Sequence, residues 1–284
     1  MTSDHEQAPF VVGLDGSAES VHALMWALDE AELRRVPVVA VHAWQTHDTA
    51  VKGAAERTVV ARAETRQEAL ALVDDQFHDA GVKRGRSGVV ERRAVEGEPA
   101  SVLIEAARGA RALVVASRRK TRLGRLVLGS VSEACVHGAA CPVVVVHRQA
   151  DATDGAGPWQ IVAGVDGSPA SQRAVAFAAE HGRARRAEIR LVGAVPAPAS
   201  EKTIAEIDIL LKLAAQPYLD PEIALYFVTD AKEGAPGEVL CAAARHADLL
   251  VVGRRGAGDT GGALGSVADE CVRHAACPVA VVPS

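Results

Sequence analysis

Aromatic side chains are scarce in this chain of 284 residues, where phenylalanine, tryptophan and tyrosine together make up 3% of the sequence. Because 49% of the residues are nonetheless hydrophobic, the core has to be aliphatic, built largely from valine, leucine, alanine and isoleucine. Aliphatic cores of this kind are typical of helices packed on parallel strands. The length is sufficient for two domains of ordinary size.

The sequence also lacks a basic stripe and a long apolar run. Its formal net charge is −5 and its basic residues stand in small groups beside acidic ones, so nucleic acid is not predicted as a partner. The first ten residues, MTSDHEQAPF, show no signal-peptide pattern, and runs such as PVVVV are too short to cross a bilayer. We therefore predict a cytoplasmic protein with no membrane partner.

The cysteines are few and odd in number, which argues against a disulfide framework. They are Cys135, Cys141, Cys241, Cys271 and Cys277. A Cys-x5-Cys spacing occurs twice, but the nearby His137 and His274 stand at different positions relative to their cysteines. Buried thiols are therefore favoured over a metal site, and no metal is predicted.

The chain contains an internal repeat. VVGLDGSAES matches VAGVDGSPAS, EGEPASVL matches EGAPGEVL, and ACPVVVV matches ACPVAVV, so that Asp15 pairs with Asp166. Between the copies, the stretch RQADATDGAGPW has no hydrophobic period and indicates a linker. We therefore predict two domains, residues 1–149 and residues 158–284.

Within each copy, short apolar runs alternate with helical patterns. In the first copy the predicted strands are residues 10–14, 38–43, 89–93, 112–116 and 143–147. Runs that are apolar on both faces are typical of buried parallel strands, and Ser168 followed by Pro169 predicts a helix start in the second copy. The alternation predicts the α/β class, with two tandem doubly wound, five-stranded parallel-sheet domains of strand order 3-2-1-4-5.

In such sheets the ligand crevice opens at the carboxyl ends of the strands where the strand order reverses. The Asp-Gly-Ser motif after strand one and the loop after strand four both lie at that edge. In the second copy this loop, GRRGAGDTGGALGS, is rich in glycines that let backbone N–H groups approach phosphate oxygens. Gly265-Ser266 at a helix start would offer further N–H donors, and Asp166 suits a sugar hydroxyl or the adenine edge. The pattern predicts a nucleotide site.

Two purely structural interpretations compete with the nucleotide site. The glycine-rich loop is also typical of a surface turn, and Asp15 and Asp166 are also typical of turn residues that bond to their own backbone. Catalytic motifs are missing, since the sequence has no P-loop lysine, no Gly-x-Ser-x-Gly elbow and no evident base beside the loops. No catalytic residue is predicted, and the protein is predicted not to be an enzyme.

The motifs of the second copy resemble those of the universal stress protein family, in a tandem two-domain form that covers nearly the whole chain. Members of the family that bind ATP share an Asp after strand one and the loop Gly-x2-Gly-x9-Gly-[Ser/Thr] after strand four. The second copy has Gly253-x2-Gly256 and then Gly265-Ser266, with eight residues between the two pairs.

The first copy departs from the family loop at other positions. Its spacing to Gly129-Ser130 is that of the family, but Ala116 and Arg119 stand where the two leading glycines belong. We expect the extra methyl of Ala116 to obstruct the ligand and Arg119 to occupy a position that needs a left-handed backbone. The second copy is therefore predicted to bind more tightly.

The resemblance also implies which residues contact a nucleotide. In the first copy adenosine would contact Gly13, Leu14, Asp15, Ala43 and Val115, and the phosphates would contact Gly129, Ser130, Val131 and Ser132. In the second copy the nucleotide would contact Gly164, Val165, Asp166, Ala194, Val252, Gly253, Arg255, Gly256, Gly265, Ser266 and Val267.

The function that the resemblance implies is binding of ATP as a regulatory, non-catalytic ligand, with the second domain as the favoured site. The alternative is a nucleotide-free, stress-related interaction protein that kept the fold and lost the phosphate loops. A weak ATPase or phosphotransferase is the third hypothesis. Apart from adenine nucleotide, the resemblance implies a homodimer or a pairing of the two domains within one chain, because the last strand commonly mediates such contacts in the family.

Overall fold

The computed structural model of the chain describes residues 7–45, 65–81, 89–120, 126–147, 158–219, 225–257 and 264–284. Of the predicted linker stretch RQADATDGAGPW, only the last two residues lie within these ranges. The chain divides into two compact units, each considered by itself. The first comprises Met1–Ser117 and Gly129–Val146, and the second comprises Arg118–Leu128 and His147–Ser284. The segment 118–128, which belongs to the first sequence copy, is thus part of the second unit, and the predicted domain boundaries stay a prediction.

The described part of the chain contains twelve strands. In order they are β1 (Phe10–Leu14), β2 (Val38–Trp44), β3 (Val90–Glu96), β4 (Ala112–Ala116), β5 (Arg118–Lys120), β6 (Leu126–Val127), β7 (Val143–Val146), β8 (Gln160–Gly164), β9 (Glu188–Val195), β10 (Tyr226–Glu233), β11 (Leu249–Gly253) and β12 (Val279–Val282).

Eight α-helices are described between these strands. They are α1 (Ala18–Arg34), α2 (Arg66–Asp79), α3 (Pro99–Ala106), α4 (Ser130–Gly138), α5 (Pro169–Arg185), α6 (Glu201–Ala215), α7 (Pro236–Ala243) and α8 (Ser266–His274). Of the helices in these described ranges, none combines the length and the apolar character that a bilayer span requires.

The pairing of strands follows the same order in both units. In the first unit β1 pairs with β2 and β4, β2 pairs with β3, and β4 pairs with β7, all parallel. In the second unit β8 pairs with β9 and β11, β9 pairs with β10, and β11 pairs with β12, again all parallel. The predicted α/β class and the strand order 3-2-1-4-5 are therefore confirmed. A short antiparallel pair, β5 with β6, forms a separate small sheet.

Burial follows the position of each strand in its sheet. The inner strands β1 and β4 are almost completely buried, as their aliphatic sequences predict. The prediction of an apolar third strand is wrong, because β3 carries the charged residues Glu91, Arg92 and Arg93 and is largely exposed. Among the described strands β3 pairs with β2 alone, and charges on such an edge strand discourage further pairing.

The Asp-Gly-Ser motif builds the turn from the first strand of each unit into the following helix. Gly16 and Gly167 have φ angles of 82° and 80°, a left-handed conformation that glycine adopts without steric cost. The hydroxyl of Ser168 accepts a hydrogen bond of 3.1 Å from the Ser171 N–H, and Pro169 is the first helical residue. The predicted helix start at Ser168-Pro169 is thus confirmed.

Candidate functional site

A cavity of about 420 Å³ opens in the second unit at the carboxyl ends of β8 and β11. All the residues predicted for the second copy line it, namely Gly164, Val165, Asp166, Ala194, Val252, Gly253, Arg255, Gly256, Gly265, Ser266 and Val267. Gly258, Gly261 and Gly262, from the same glycine-rich run, lie outside the described residues. The structure therefore brings the predicted set together, while its contact with a nucleotide stays a prediction.

Sequence reasoning missed several further residues that line the cavity. They are Ser171, Val192, Pro236, Leu240, Arg254, Ala257 and Ala268. Val192 could have been predicted from the sequence, since it lies two positions before Ala194 on β9 and therefore on the same face of the strand. Pro236 and Leu240 belong to the repeated motif EGAPGEVL, which gave no signal that α7 forms a wall of the crevice.

The Asp166 carboxylate connects the two loops that meet at the cavity. Its Oδ1 accepts a hydrogen bond of 3.0 Å from the Ser168 N–H, and its Oδ2 accepts one of 2.8 Å from the Ala257 N–H. Partial burial raises the pKa of Asp166, but hydrogen bonds from Ser168, Ala257 and Ser171 outweigh burial and hold the pKa below its ordinary value. The carboxylate is therefore ionised and bridges the loop after β8 and the loop after β11.

Gly256 is small because of this carboxylate. A Cβ atom at Gly256 would lie 2.7 Å from Asp166 Oδ2, closer than any ordinary carbon–oxygen contact. Its backbone does not have a positive φ angle. The expectation that this position needs a left-handed backbone, and that Arg119 fails there for that reason, is therefore wrong. The requirement is for space beside Asp166.

Gly253 and Gly164 are small because helices pack directly on them. A Cβ at Gly253 would lie 2.9 Å from the Cβ of Ala170, and 3.0 Å from its carbonyl carbon, in the first turn of α5. A Cβ at Gly164 would lie 2.9 Å from Leu240 Cδ1 of α7. A methyl at Gly253 would therefore collide with α5. For the methyl of its counterpart Ala116, the sequence-based expectation is a collision with the ligand instead.

The start of α8 forms the polar end of the cavity. Gly265 is the N-cap residue and has no side chain, so it cannot itself cap the N–H groups of Ser266, Val267 and Ala268 in the first turn. The Gly265 N–H itself donates to the Arg254 carbonyl at 2.9 Å and closes the loop. Uncapped N–H groups and the positive end of the helix dipole make this end suitable for an anion.

The opposite side of the cavity is apolar. Val165, Val192, Leu240 and Val252 are almost completely buried, and Ala194 lies beside them at the end of β9. A flat heterocycle fits such an aliphatic wall, while the polar groups stand at the other end. The arrangement can therefore hold a ligand that has an apolar, planar part and an anionic part.

In the first unit Asp15 is held differently. Its Oδ1 accepts from the Ser17 N–H at 3.0 Å and from the Ser17 hydroxyl. Gln76 of α2, which the sequence analysis missed, closes the turn, since its Oε1 accepts from the Gly16 N–H at 3.2 Å and its Nε2 donates to the Ser20 hydroxyl at 2.6 Å. The turn interpretation of the Asp-Gly-Ser motif describes Asp15 well.

The remaining residues predicted for the first copy also lie at the carboxyl edge of its sheet. Gly13, Leu14, Ala43 and Val115 lie on β1, β2 and β4, and Gly129, Ser130, Val131 and Ser132 lie at the start of α4. The Ser132 hydroxyl donates to the carbonyl of Ala116 at 2.8 Å, so this hydroxyl hydrogen is already bonded to the end of β4. Residues 118–128, which follow β4, belong to the second unit.

Two doubly wound α/β units in tandem, each with its Asp-Gly-Ser turn at the reversal of strand order, define the class of this protein. The family model of the universal stress protein family matches residues 8–147 and 160–283. A universal stress protein of Mycolicibacterium smegmatis is 31% identical over 284 residues, covering 96% of each chain. One of Mycobacterium tuberculosis is 30% identical over 298 residues, covering 99% of each chain.

The fold agrees with this family. The crystal structure of a universal stress protein from Archaeoglobus fulgidus is similar with a TM-score of 0.71 and 17% identity, over 100% of this chain and 99% of that one. The chain belongs to the universal stress protein family, in its tandem two-domain form.

Proposed function

We propose that the second unit binds ATP as a regulatory, non-catalytic ligand. The observation that carries the proposal is the cavity itself, in which the ionised Asp166 lies between an apolar wall and the uncapped start of α8. Its volume, about 420 Å³, falls within the range of small-molecule sites. A nucleotide has matching chemical groups in the same order, because it joins a planar base, a sugar with hydroxyl donors and a chain of phosphates.

The placement of ATP follows from the chemistry of each wall. The base lies against Val192, Ala194 and Leu240, the ribose hydroxyls donate to Asp166, and the phosphates accept from the N–H groups at the start of α8. Asp166 Oδ2 accepts from the Ala257 N–H in this structure. Binding of the ribose therefore shares or replaces that hydrogen bond, which links occupancy of the site to the loop after β11.

The absence of catalysis is part of the proposal. The ionisable side chains among the described lining residues are Asp166, Arg254 and Arg255. A carboxylate with a lowered pKa is a weak base, and arginine stays protonated, so neither type activates a water molecule well at neutral pH. We infer that bound ATP acts through its presence rather than through its hydrolysis.

A second candidate function applies to the first unit, which we propose to be nucleotide-free and to serve interaction with other proteins. It is favoured by the hydrogen bond from the Ser132 hydroxyl to the Ala116 carbonyl, at a position where the second unit has Ala268. The glycine that leaves room beside Asp166 is replaced by Arg119 in this repeat. A cytoplasmic location and dimerisation remain predictions from the sequence and the family.

The decisive experiment measures how many nucleotides one chain binds. Freshly purified protein is denatured by heat, the released nucleotide is identified by chromatography, and the nucleotide-free chain is then titrated with ATP by calorimetry. We expect one ATP per chain and no release of inorganic phosphate. Two sites would contradict the assignment of the first unit, no binding at millimolar ATP would favour the interaction protein, and released phosphate would identify an enzyme.

A further inference from the structure

A pair of cysteines lies between two helices of the second unit, outside the lining of the cavity. Cys241 in the last turn of α7 and Cys271 in α8 are hydrogen-bonded neighbours, and the two helices pack against each other. Cys271 is completely buried, whereas Cys241 is partly exposed. No group of three metal-ligating side chains with the geometry of a metal site occurs among the described residues.

The packing of neighbouring residues shows independently that this face of α7 points at α8. Gly237 precedes Cys241 by about one helical turn and lies on the same face. A Cβ at Gly237 would lie 2.8 Å from Cγ of Glu270, the residue before Cys271. In the first unit the counterpart of Cys241 is Ile104, whose Cδ1 would lie 2.9 Å from a Cβ at Gly138 of α4. The position faces the partner helix in both units, and the second unit has a thiol there.

The two thiols differ in reactivity. A hydrogen bond from Cys271 lowers the pKa of Cys241 and outweighs the opposing effects of burial and of Glu270. The same hydrogen bond, together with burial, raises the pKa of Cys271. Cys241 is therefore the nucleophile, and Cys271 is the thiol positioned to react with its oxidised form.

We propose that Cys241 and Cys271 are a redox modification site that reacts with hydrogen peroxide and closes to a reversible disulfide between α7 and α8. The Cys241 thiolate attacks one peroxide oxygen, the O–O bond breaks, and the leaving hydroxide takes up a proton to become water. The Cys271 sulfur then attacks the sulfenic acid of Cys241, the S–O bond breaks, and a second water leaves with the thiol proton. Peroxide gains the two electrons that the two thiols lose, and a dithiol reductant reverses the reaction.

The disulfide would connect two walls of the cavity. α7 contributes Pro236 and Leu240, and α8 contributes Ser266, Val267 and Ala268. Oxidation should therefore change the affinity for ATP. This consequence rests on the proposed function, whereas formation of the disulfide does not, so the two are measured separately.

The full chain is treated with hydrogen peroxide, digested with trypsin without reduction and analysed by mass spectrometry. Cys241, Cys271 and Cys277 fall in three different tryptic peptides, because Arg245, Arg255 and Arg273 separate them. Cys135 and Cys141 share one further peptide, so each link among Cys241, Cys271 and Cys277 gives a distinct pair of peptides. We expect the Cys241 peptide to be linked to the Cys271 peptide, with loss of both free thiols, and dithiothreitol to restore them.

Two variants make the assignment specific. Cys241→Ser replaces the partly exposed thiol and should leave Cys271 reduced under the same treatment, while Cys135→Ala in the first unit should leave the link intact. Persistence of both thiols, a Cys271–Cys277 link in the unmodified chain, or a Cys241 link between two chains would overturn the proposal. ATP titration of the oxidised and reduced chains should differ by about fivefold or more in affinity. Equal affinities with the disulfide formed would overturn only the coupling to the cavity.

Discussion

Asp15 and Asp166 occupy the same position in the two repeats, at the end of the first strand and before a capped helix. Each uses Oδ1 to accept a hydrogen bond from the N–H of the serine two residues further on. Asp166 also accepts a hydrogen bond through its second oxygen, from the Ala257 N–H in the loop after the fourth strand. The hydrogen bond through Oδ1, which both aspartates make, builds a turn. The hydrogen bond through Oδ2 of Asp166 connects two loops across the cavity.

The two repeats also differ in sequence at the position that lies beside the carboxylate in the second unit. A Cβ at position 256 would collide with Asp166 Oδ2, so this position requires glycine. The aligned residue of the first repeat is Arg119. The repeats differ at a second position as well. Ser132 bonds to the end of β4, whereas its counterpart Ala268 has no hydroxyl and lines the cavity. A repeat can therefore keep its fold and its Asp-Gly-Ser turn while the crevice around them changes.

The largest expected effect is on ATP affinity, and Asp166→Ala tests it. The variant removes the proposed charge-assisted hydrogen bonds to the ribose, so affinity should fall by about 1.5–3 kcal/mol, roughly ten- to a hundredfold. The matched variant Asp15→Ala should leave ATP binding unchanged. Calorimetric titration of both full-length variants measures the difference. An equal loss from both would mean that both units bind.

Much of the architecture could be predicted from the sequence. The strand order and the two-unit fold follow from alternating apolar runs and helical patterns, because parallel strands with crossover helices allow few topologies. The carboxyl-edge position of Asp166 and of Gly265-Ser266 follows from the same order. Neighbours within one strand, such as Val192 and Ala194, follow from the period of two.

What the sequence did not reveal depends on contacts between distant segments. The packing of Gly253 on α5, and of Gly164 on Leu240, is a matter of distance between elements that are far apart in the chain. Glycine-rich loops suggest backbone freedom, but Gly253 and Gly256 do not have positive φ angles. Gln76 of α2 was also missed, because a single polar residue in a helix carries no periodic signal.

The second expected effect is on the stability of the second unit, and Gly253→Ala tests it. The added methyl would meet Ala170 at 2.9 Å, and overpacking of this kind costs about 1–3 kcal/mol. Hydrogen exchange of peptides from β11 and α5 measures the loss within the full chain. The reverse exchange Ala116→Gly in the first unit creates no overpacking and should not create an ATP site. If Gly253→Ala weakened ATP binding without changing hydrogen exchange, Gly253 would be needed for contact with the ligand rather than for packing against α5.

A smaller effect is expected from Ser132→Ala in the first unit. The variant removes the hydrogen bond of 2.8 Å to the Ala116 carbonyl, and the loss should be about 0.5–1.5 kcal/mol. Ser130 is exposed two residues earlier in the same helix, so Ser130→Ala is the matched control and should change stability less. Chemical denaturation followed by hydrogen exchange of α4 peptides compares the two. If Ser132→Ala had no effect on stability but added a second ATP site, the hydroxyl would be an obstacle rather than a support.

The smallest expected effect concerns acid, and it tests whether Asp166 stabilises its unit as an anion. Its folded-state pKa is lowered, so its contribution to stability is present above the unfolded-state pKa, which is about 3.9 for aspartate, and is lost as the pH falls through the folded-state pKa. The side chain is partly exposed, so the contribution is modest.

Asp166→Asn keeps the shape and one acceptor but removes the charge, and it should be less stable than the unmodified chain at pH 7. Denaturation without nucleotide from pH 7 downward should show this difference shrinking, because the unmodified carboxylate becomes protonated. A difference that stayed constant with pH would mean that the Ser168 and Ala257 hydrogen bonds stabilise the unit through geometry alone.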